Sequence, residues 1–171
     1  MAMAALPAAR LAAGESVGMV TGRSDLLHWF NELSAAAART EMLAVCSAPT
    51  WADRMASGRP YSSPQDAVRQ SRAIVAGLTV TDLAEALATQ ALPSGGEGDA
   101  RTRQALAEGV LEYERRFGHG YLVSCAGRTG QQLLSLLRSR LGNDARVEWQ
   151  VIRGELQKVN ESRIRRLLGT G

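Results

Sequence analysis

The last third of the chain leaves it the fewest choices. Within residues 113–168, Leu133, Leu134, Leu137 and Leu141 recur at the spacing that gathers side chains onto one side of a helix. Gly142-Asn143-Asp144 interrupts the pattern, and Val147, Val151, Glu155, Leu156, Val159 and Leu167 resume it. Two stripes joined by so short a break must be buried against other helices. The second stripe also carries Arg163, four residues after Val159. A charge on an apolar side is costly unless it is paired, bound to an anion, or carried on a stem that reaches water.

The rest of the chain agrees with helix. Alanine and leucine dominate and only 5% of residues are aromatic, a balance that disfavours sheet. With 171 residues, 45% of them hydrophobic, the chain is long enough for one real core, and one domain is the default. Asp25 is placed to cap a first helix bearing Leu27, Phe30 and Leu33, and Ser34 to cap a second that runs through Met42 to Cys46. Thr50 to Met55 form a short helical segment anchored by Trp51, and Gly58 suits the position just past its end. Ser63-Pro64 starts the next helix, Thr81 the one after, on which Leu83, Leu87 and Gln90 face one way. Leu106, Val110, Tyr113 and Phe117 share a side of the following helix, and Thr129 with Gln132 forms a capping box. The expectation is an all-α, single-domain orthogonal bundle of about seven helices.

Several function classes fall away. The net charge of +3 is spread along the chain, and Arg115-Arg116 and Arg165-Arg166 are too short to make a nucleic-acid patch. No apolar run approaches the roughly 20 residues of a membrane span, so neither a nucleic-acid nor a membrane partner is expected and the location is read as cytoplasmic. Cys46 and Cys125 fit no metal pattern and read as free thiols, Cys125 as a buried small hydrophobe. His28 and His119 have no ligand partners at suitable spacing, so no metal and no cofactor is expected. Residues 1–22 read as a disordered leader ahead of a helical domain over residues 23–171.

Two places could carry chemistry. Arg163 is either a structural arginine or a guanidinium fork that grips the carboxylate or imide-like edge of a small ligand. The loop after Phe117 has paired glycines, Gly118 and Gly120, and a short extended run, Tyr121-Leu122-Val123. It is either a plain turn or a cluster of backbone N–H groups able to hold the oxygens of a polar ring.

The residues 104–143 resemble the run "aLaagNxxYexrFGxxFlixxxGrsaxexLxxLxxRLxN" of the OHCU decarboxylase family, and Glu148 to Leu167 resemble its tail "E…rGELxxIxxxRLxxL". Phe30-Asn31, Cys46, Trp51 and Arg59-Pro60-Tyr61 are similar to its "FNxL", "lxxCCgsxxW" and "RPy/f" landmarks, in the right order. The family decarboxylates 2-oxo-4-hydroxy-4-carboxy-5-ureidoimidazoline to allantoin in urate breakdown, and is often dimeric. The resemblance implies the family's helical fold, a small-molecule substrate, no metal or organic cofactor, and a possible homodimer. It implies a site in which a His-Pro histidine and a downstream glutamate do acid–base work, an arginine holds substrate, and backbone groups after Phe-Gly touch it. Arg163 matches the arginine; Gly120, Tyr121, Leu122 and Val123 match the backbone contacts; Pro60 joins them as a substrate contact; Glu97 matches the glutamate.

The pattern "eALaxHPRIG" departs at its centre. Its histidine falls on Gln90 and its proline on Ala91, and Val110 stands at the asparagine. An amide has no titratable proton near neutral pH, so Gln90 orients a ligand but cannot act as general acid or base. His119 is the alternative proton carrier, or else a solvent-facing loop histidine. The catalytic candidates are therefore Glu97, His119 and Gln90. The expected function is a cofactor-free, lyase-like enzyme of altered chemistry, such as decarboxylation, cyclisation or isomerisation in specialised metabolism. The alternatives are a genuine ureidoimidazoline decarboxylase and a non-catalytic binding protein that keeps the fold.

Overall fold

The computed structural model describes residues 23–88 and 99–170. They form eight helices: α1 Arg23–Glu32, α2 Ala35–Val45, α3 Pro49–Ser57, α4 Pro64–Ala76, α5 Val80–Leu87, α6 Ala100–Phe117, α7 Gly130–Arg140 and α8 Ala145–Leu167. The all-helical expectation holds. The segment around Trp51 is a full helix, α3, with Pro49 in its first turn, which takes the number past seven. None of these helices is long and apolar enough to cross a membrane.

Local signals set most helix starts. Ser34 accepts from the Ala37 N–H at 3.2 Å, and Ser63 from Asp66 at 3.1 Å. The Thr129–Gln132 capping box is complete, with both reciprocal bonds made. Two expected caps are displaced. Helix α1 begins at Arg23, so Asp25 lies in its first turn. Helix α5 is capped by Thr79, whose side chain pairs with Asp82 in a capping box, and not by Thr81: Thr79 stands three residues before an acidic partner, the geometry a capping box needs. Gly58 is the C-cap of α3 in right-handed conformation, so its role is spatial. A Cβ there would come within 2.8 Å of the Tyr61 hydroxyl.

The chain divides into two compact units, Met1–Ile74 with Asn160–Gly171, and Val75–Val159. The first has Trp51, Phe30, Met42, Met55, Ile164 and Leu168 fully buried, and Trp51 donates to the buried Ser71 hydroxyl at 3.2 Å. Arg59 fastens the end of α1: its Nη1 donates to the carbonyls of Phe30 at 2.8 Å and Leu33 at 2.7 Å. Asn31 exchanges two bonds with the Tyr61 backbone, each 2.9 Å, and Tyr61 stacks on Phe30 at 6.4 Å. These are the residues of the "FN" and "RPY" landmarks, and their place here is a clasp between helix end and loop. The last carbonyls of a helix have no partner within it, and a cation near them is favoured.

In the second unit the core gathers Leu106, Val110, Tyr113, Tyr121, Val123, Leu133 and Leu137. Helix α6 ends on Gly118, at φ 73°, a left-handed turn that glycine takes without a Cβ clash. The chain then runs through Tyr121-Leu122-Val123 with all three side chains buried, and with no strand assigned. Arg153 of α8 repeats the clasp of Arg59, donating to the carbonyls of Val75 at 2.5 Å and Leu78 at 2.9 Å at the end of α4.

The stripe on α8 is rotated from expectation. Its buried members are Glu148, Ile152, Glu155, Leu156, Asn160 and Ile164, with Leu168 just past its end; Glu155 and Leu156 are as expected, and the others lie one position along from Val147, Val151, Val159, Arg163 and Leu167. Val147 is exposed and the other four are partly buried. Three of the buried members are polar, which hides the stripe from a hydrophobicity pattern. One residue on a helix is about 100° of rotation.

Candidate functional site

Arg163 is half-buried on α8. Its Nη1 donates to the Val45 carbonyl at 2.7 Å, at the end of α2. Burial lowers its guanidinium pKa from the ordinary value, with a smaller push from Arg166, while nearby Cys46 opposes; it stays charged at any ordinary pH. One edge of the fork is thus committed to capping a helix, as Arg59 and Arg153 are. Cys46 and Asn160 complete this corner of the first unit. The Cys46 thiol is buried, and burial pushes its pKa up against lesser opposing contacts with Ala48, Asn160 and Arg163. Asn160 is fully buried. Although the thiol lies beside it, neither its Oδ1 nor its Nδ2 has a well-formed hydrogen bond among the described residues. Pro60 is exposed, on the rim of a shallow cleft with Gly58, Tyr61 and Ser62.

His119 is not a solvent-facing histidine. It is half-buried in an aromatic nest, 4.2 Å from the Trp149 ring, 5.6 Å edge-on to Tyr113 and 5.9 Å over Phe117. Nδ1 lies 3.2 Å from the Gly120 carbonyl; as donor it would leave Nε2 as the basic nitrogen. Gly120, Tyr121, Leu122 and Val123 follow directly. Among the described residues their backbone N–H groups donate no hydrogen bond. Burial pushes the Tyr121 phenol up to about 12, with Arg140 opposing, so it is a donor near neutral pH and not a base. Cys125 is exposed at the loop's far end, against the expectation that it is buried; its turn closes with Arg128 donating to its carbonyl at 3.1 Å. Gln90 and Glu97 lie outside the described residues. Among the described residues no three His, Cys, Asp or Glu side chains group as metal ligands.

The sequence reading did not single out the most buried charges among the described residues. Arg140 of α7 is 2% exposed and Glu148 of α8 fully buried. Arg140 Nε donates to Glu148 Oε1 at 2.8 Å and Nη1 to the Leu122 carbonyl at 2.6 Å. Tyr113 gives its hydroxyl proton to the same carboxylate, and Asn143 Nδ2 donates to Oε2 at 2.7 Å. The guanidinium lies 4.5 Å from the Tyr121 ring centroid. Burial lowers the Arg140 pKa, but Glu148 outweighs it and the net direction is up. For Tyr113, burial and the bond to Glu148 both raise the phenol well beyond its ordinary range. Glu155, 5% exposed, accepts from the Ser124 N–H at 2.7 Å and from Lys158 at 2.7 Å. One signal was present: Arg140 follows Leu133 and Leu137 at i+7 and i+3, on the stripe itself.

A model of the OHCU decarboxylase family matches residues 90–165. An OHCU decarboxylase crystallised in the presence of (S)-allantoin superposes with a TM-score of 0.69 at 27% identity, covering 75% of this chain and 97% of that one. The fold is that of the OHCU decarboxylases. An (S)-allantoin synthase shares that fold at TM-score 0.66 and 13% identity, over 86% of this chain and 54% of that one, so this chain spans about half its length. No curated protein matches the sequence. The family match begins at Gln90, and within it lie His119, the loop, Arg140, Glu148, Glu155 and Arg163.

Proposed function

We propose that the protein is a cofactor-free, lyase-like enzyme that acts on a small carboxylated or N-heterocyclic compound, with chemistry altered from ureidoimidazoline decarboxylation. The reading is supported by the OHCU decarboxylase fold, which extends over almost the whole length of an OHCU decarboxylase, and by the sequence resemblance, which places Gln90 at the family's proton-transferring histidine. Arg163, Pro60 and the open N–H groups of residues 120–123 are assigned to substrate binding. Gln90 orients the ligand through its amide, and Glu97 or His119 moves the proton. The aromatic nest favours His119 in this role, because it fixes the ring while Nδ1 faces a carbonyl, the arrangement that sets a tautomer. Decarboxylation, cyclisation and isomerisation each need developing negative charge to be stabilised by fixed donors, which Arg163 and the loop supply in kind.

A second reading is favoured by the 27% identity to an OHCU decarboxylase: the usual reaction persists without the histidine. The test is a rate assay with freshly generated ureidoimidazoline, following the optical activity of the allantoin formed. Racemic product at the uncatalysed rate removes the second reading. Altered chemistry is tested by incubating the protein with a panel of carboxylated ureides and heterocycles. If none is turned over, the protein is a binding protein that keeps the fold, a reading to which the helix-capping bond of Arg163 lends weight.

A further inference from the structure

An extended run with no neighbouring strand has no ladder to hold it. Residues 120–123 donate no backbone hydrogen bond among the described residues, yet Tyr121, Leu122 and Val123 are buried. Two buried charges fix the run at successive points. Arg140 donates to the Leu122 carbonyl at 2.6 Å, and the Glu155 carboxylate accepts from the Ser124 N–H at 2.7 Å. Arg128 adds a bond to the Ser124 carbonyl at 2.6 Å. Arg140 is itself immobilised by Glu148 and the Tyr121 ring beneath it; Glu155 is held by Lys158 and Arg128. The three bonds occupy two carbonyls and one N–H, and none of them uses the N–H groups of residues 120–123.

We propose that Arg140 and Glu155 are positioning residues for ligand binding, holding residues 120–124 so that the open backbone N–H groups form a ready-made edge for the carboxylate or carbonyl oxygens of a small cyclic ureide. This rests on the proposed function, since it takes the same ligand class. Its physical content is preorganisation: donors already fixed in place lose little freedom when the ligand arrives.

Glu155 is the residue to change, because removing Arg140 would leave Glu148 buried without its cation and endanger folding. The probe is hydantoin-5-acetate, a carboxylated cyclic ureide, titrated into ¹⁵N-labelled protein. In the wild type, the amide resonances of residues 120–123 move on titration, and the Ser124 amide is protected from exchange before ligand is added. Glu155→Ala loses the Ser124 protection and binds the probe about tenfold or more weakly. Glu155→Gln keeps an oxygen able to accept from Ser124 and recovers a large part of that affinity, a rescue that a general loss of stability would not give. Equal affinity in wild type and a folded Glu155→Ala overturns the positioning role alone. Should Glu155→Ala not fold, the decision passes to wild-type resonances: probe binding that leaves residues 120–123 unmoved overturns the inference. A wild type that does not bind the probe overturns this inference; turnover in the panel assay would then leave the proposed function standing, and its absence would remove both.

Discussion

The buried Arg140–Glu148 pair of the second unit and the buried Asn160 of the first keep very different company. Around Glu148, four donors converge from Arg140, Tyr113 and Asn143, and Arg140 spends a further N–H on the Leu122 carbonyl. Around Asn160 the contacts are a buried thiol and no well-formed hydrogen bond among the described residues. A buried ion pair is tolerable when its remaining donors and acceptors are satisfied, and severing it strands a charge. A buried amide without well-formed hydrogen bonds carries a cost. The contrast assigns rigidity to the cluster that carries the loop, and leaves the Cys46–Asn160 corner with unspent hydrogen-bonding capacity.

The largest expected effect breaks the satisfied side. Glu148→Ala strands the Arg140 guanidinium and should cost about 3–5 kcal/mol of stability, measured by guanidinium chloride unfolding. A loss below about 1 kcal/mol would mean that the cluster relaxes or hydrates and that its contrast with Asn160 is only apparent. Next comes Arg163, the charged member of the other corner. Arg163→Ala should weaken binding of an anionic ureide by about 1.5–3 kcal/mol in calorimetric titration; unchanged binding would confine the residue to capping α2.

A pH experiment sharpens the comparison further. Burial raises the Glu155 pKa, but Lys158, the Ser124 N–H and Arg128 together outweigh it, so the folded value lies below the ordinary 4.5. The contribution of the carboxylate is therefore fully present above that pH and fades as pH falls through the folded value. The stability difference between wild type and Glu155→Gln should be constant at neutral pH, about 1 kcal/mol, and shrink in acid. A difference that grows in acid would reverse the sign of the argument. The smallest effect is expected at Asn160. Asn160→Leu removes an amide with no well-formed hydrogen bond at similar volume and should be neutral or stabilising by up to about 1 kcal/mol in thermal unfolding. A loss of several kcal/mol would reveal hidden partners, and the contrast between the corners would vanish.

Features with local causes were legible in the sequence. Ser34, Ser63 and the Thr129–Gln132 box start their helices through side chains three residues from the N–H they serve, and Trp51 is the buried anchor it was read to be. Thr81 stands directly before Asp82, but the cap is Thr79, because a capping box needs its acidic partner three residues on. On α8 the valines mark a stripe one position off, since Glu148 and Asn160, beside the expected Glu155, occupy the buried side. The loop and Arg163 stand out in the sequence as candidates, and Arg140, which holds the loop, does not. Arg140 looks like any arginine near a helix end, where cations are common.

By itself the sequence determined that the chain is helical, where most helices start and stop, and which fold family it resembles, because propensity, capping and periodicity act over a few residues. Only the tertiary structure decided which arginine is buried. Arg140 and Glu148 become an internal pair because Leu122, Tyr113 and Asn143 arrive from 18, 27 and 3 positions away, and the free energy of a buried charge depends on the partners that folding assembles around it.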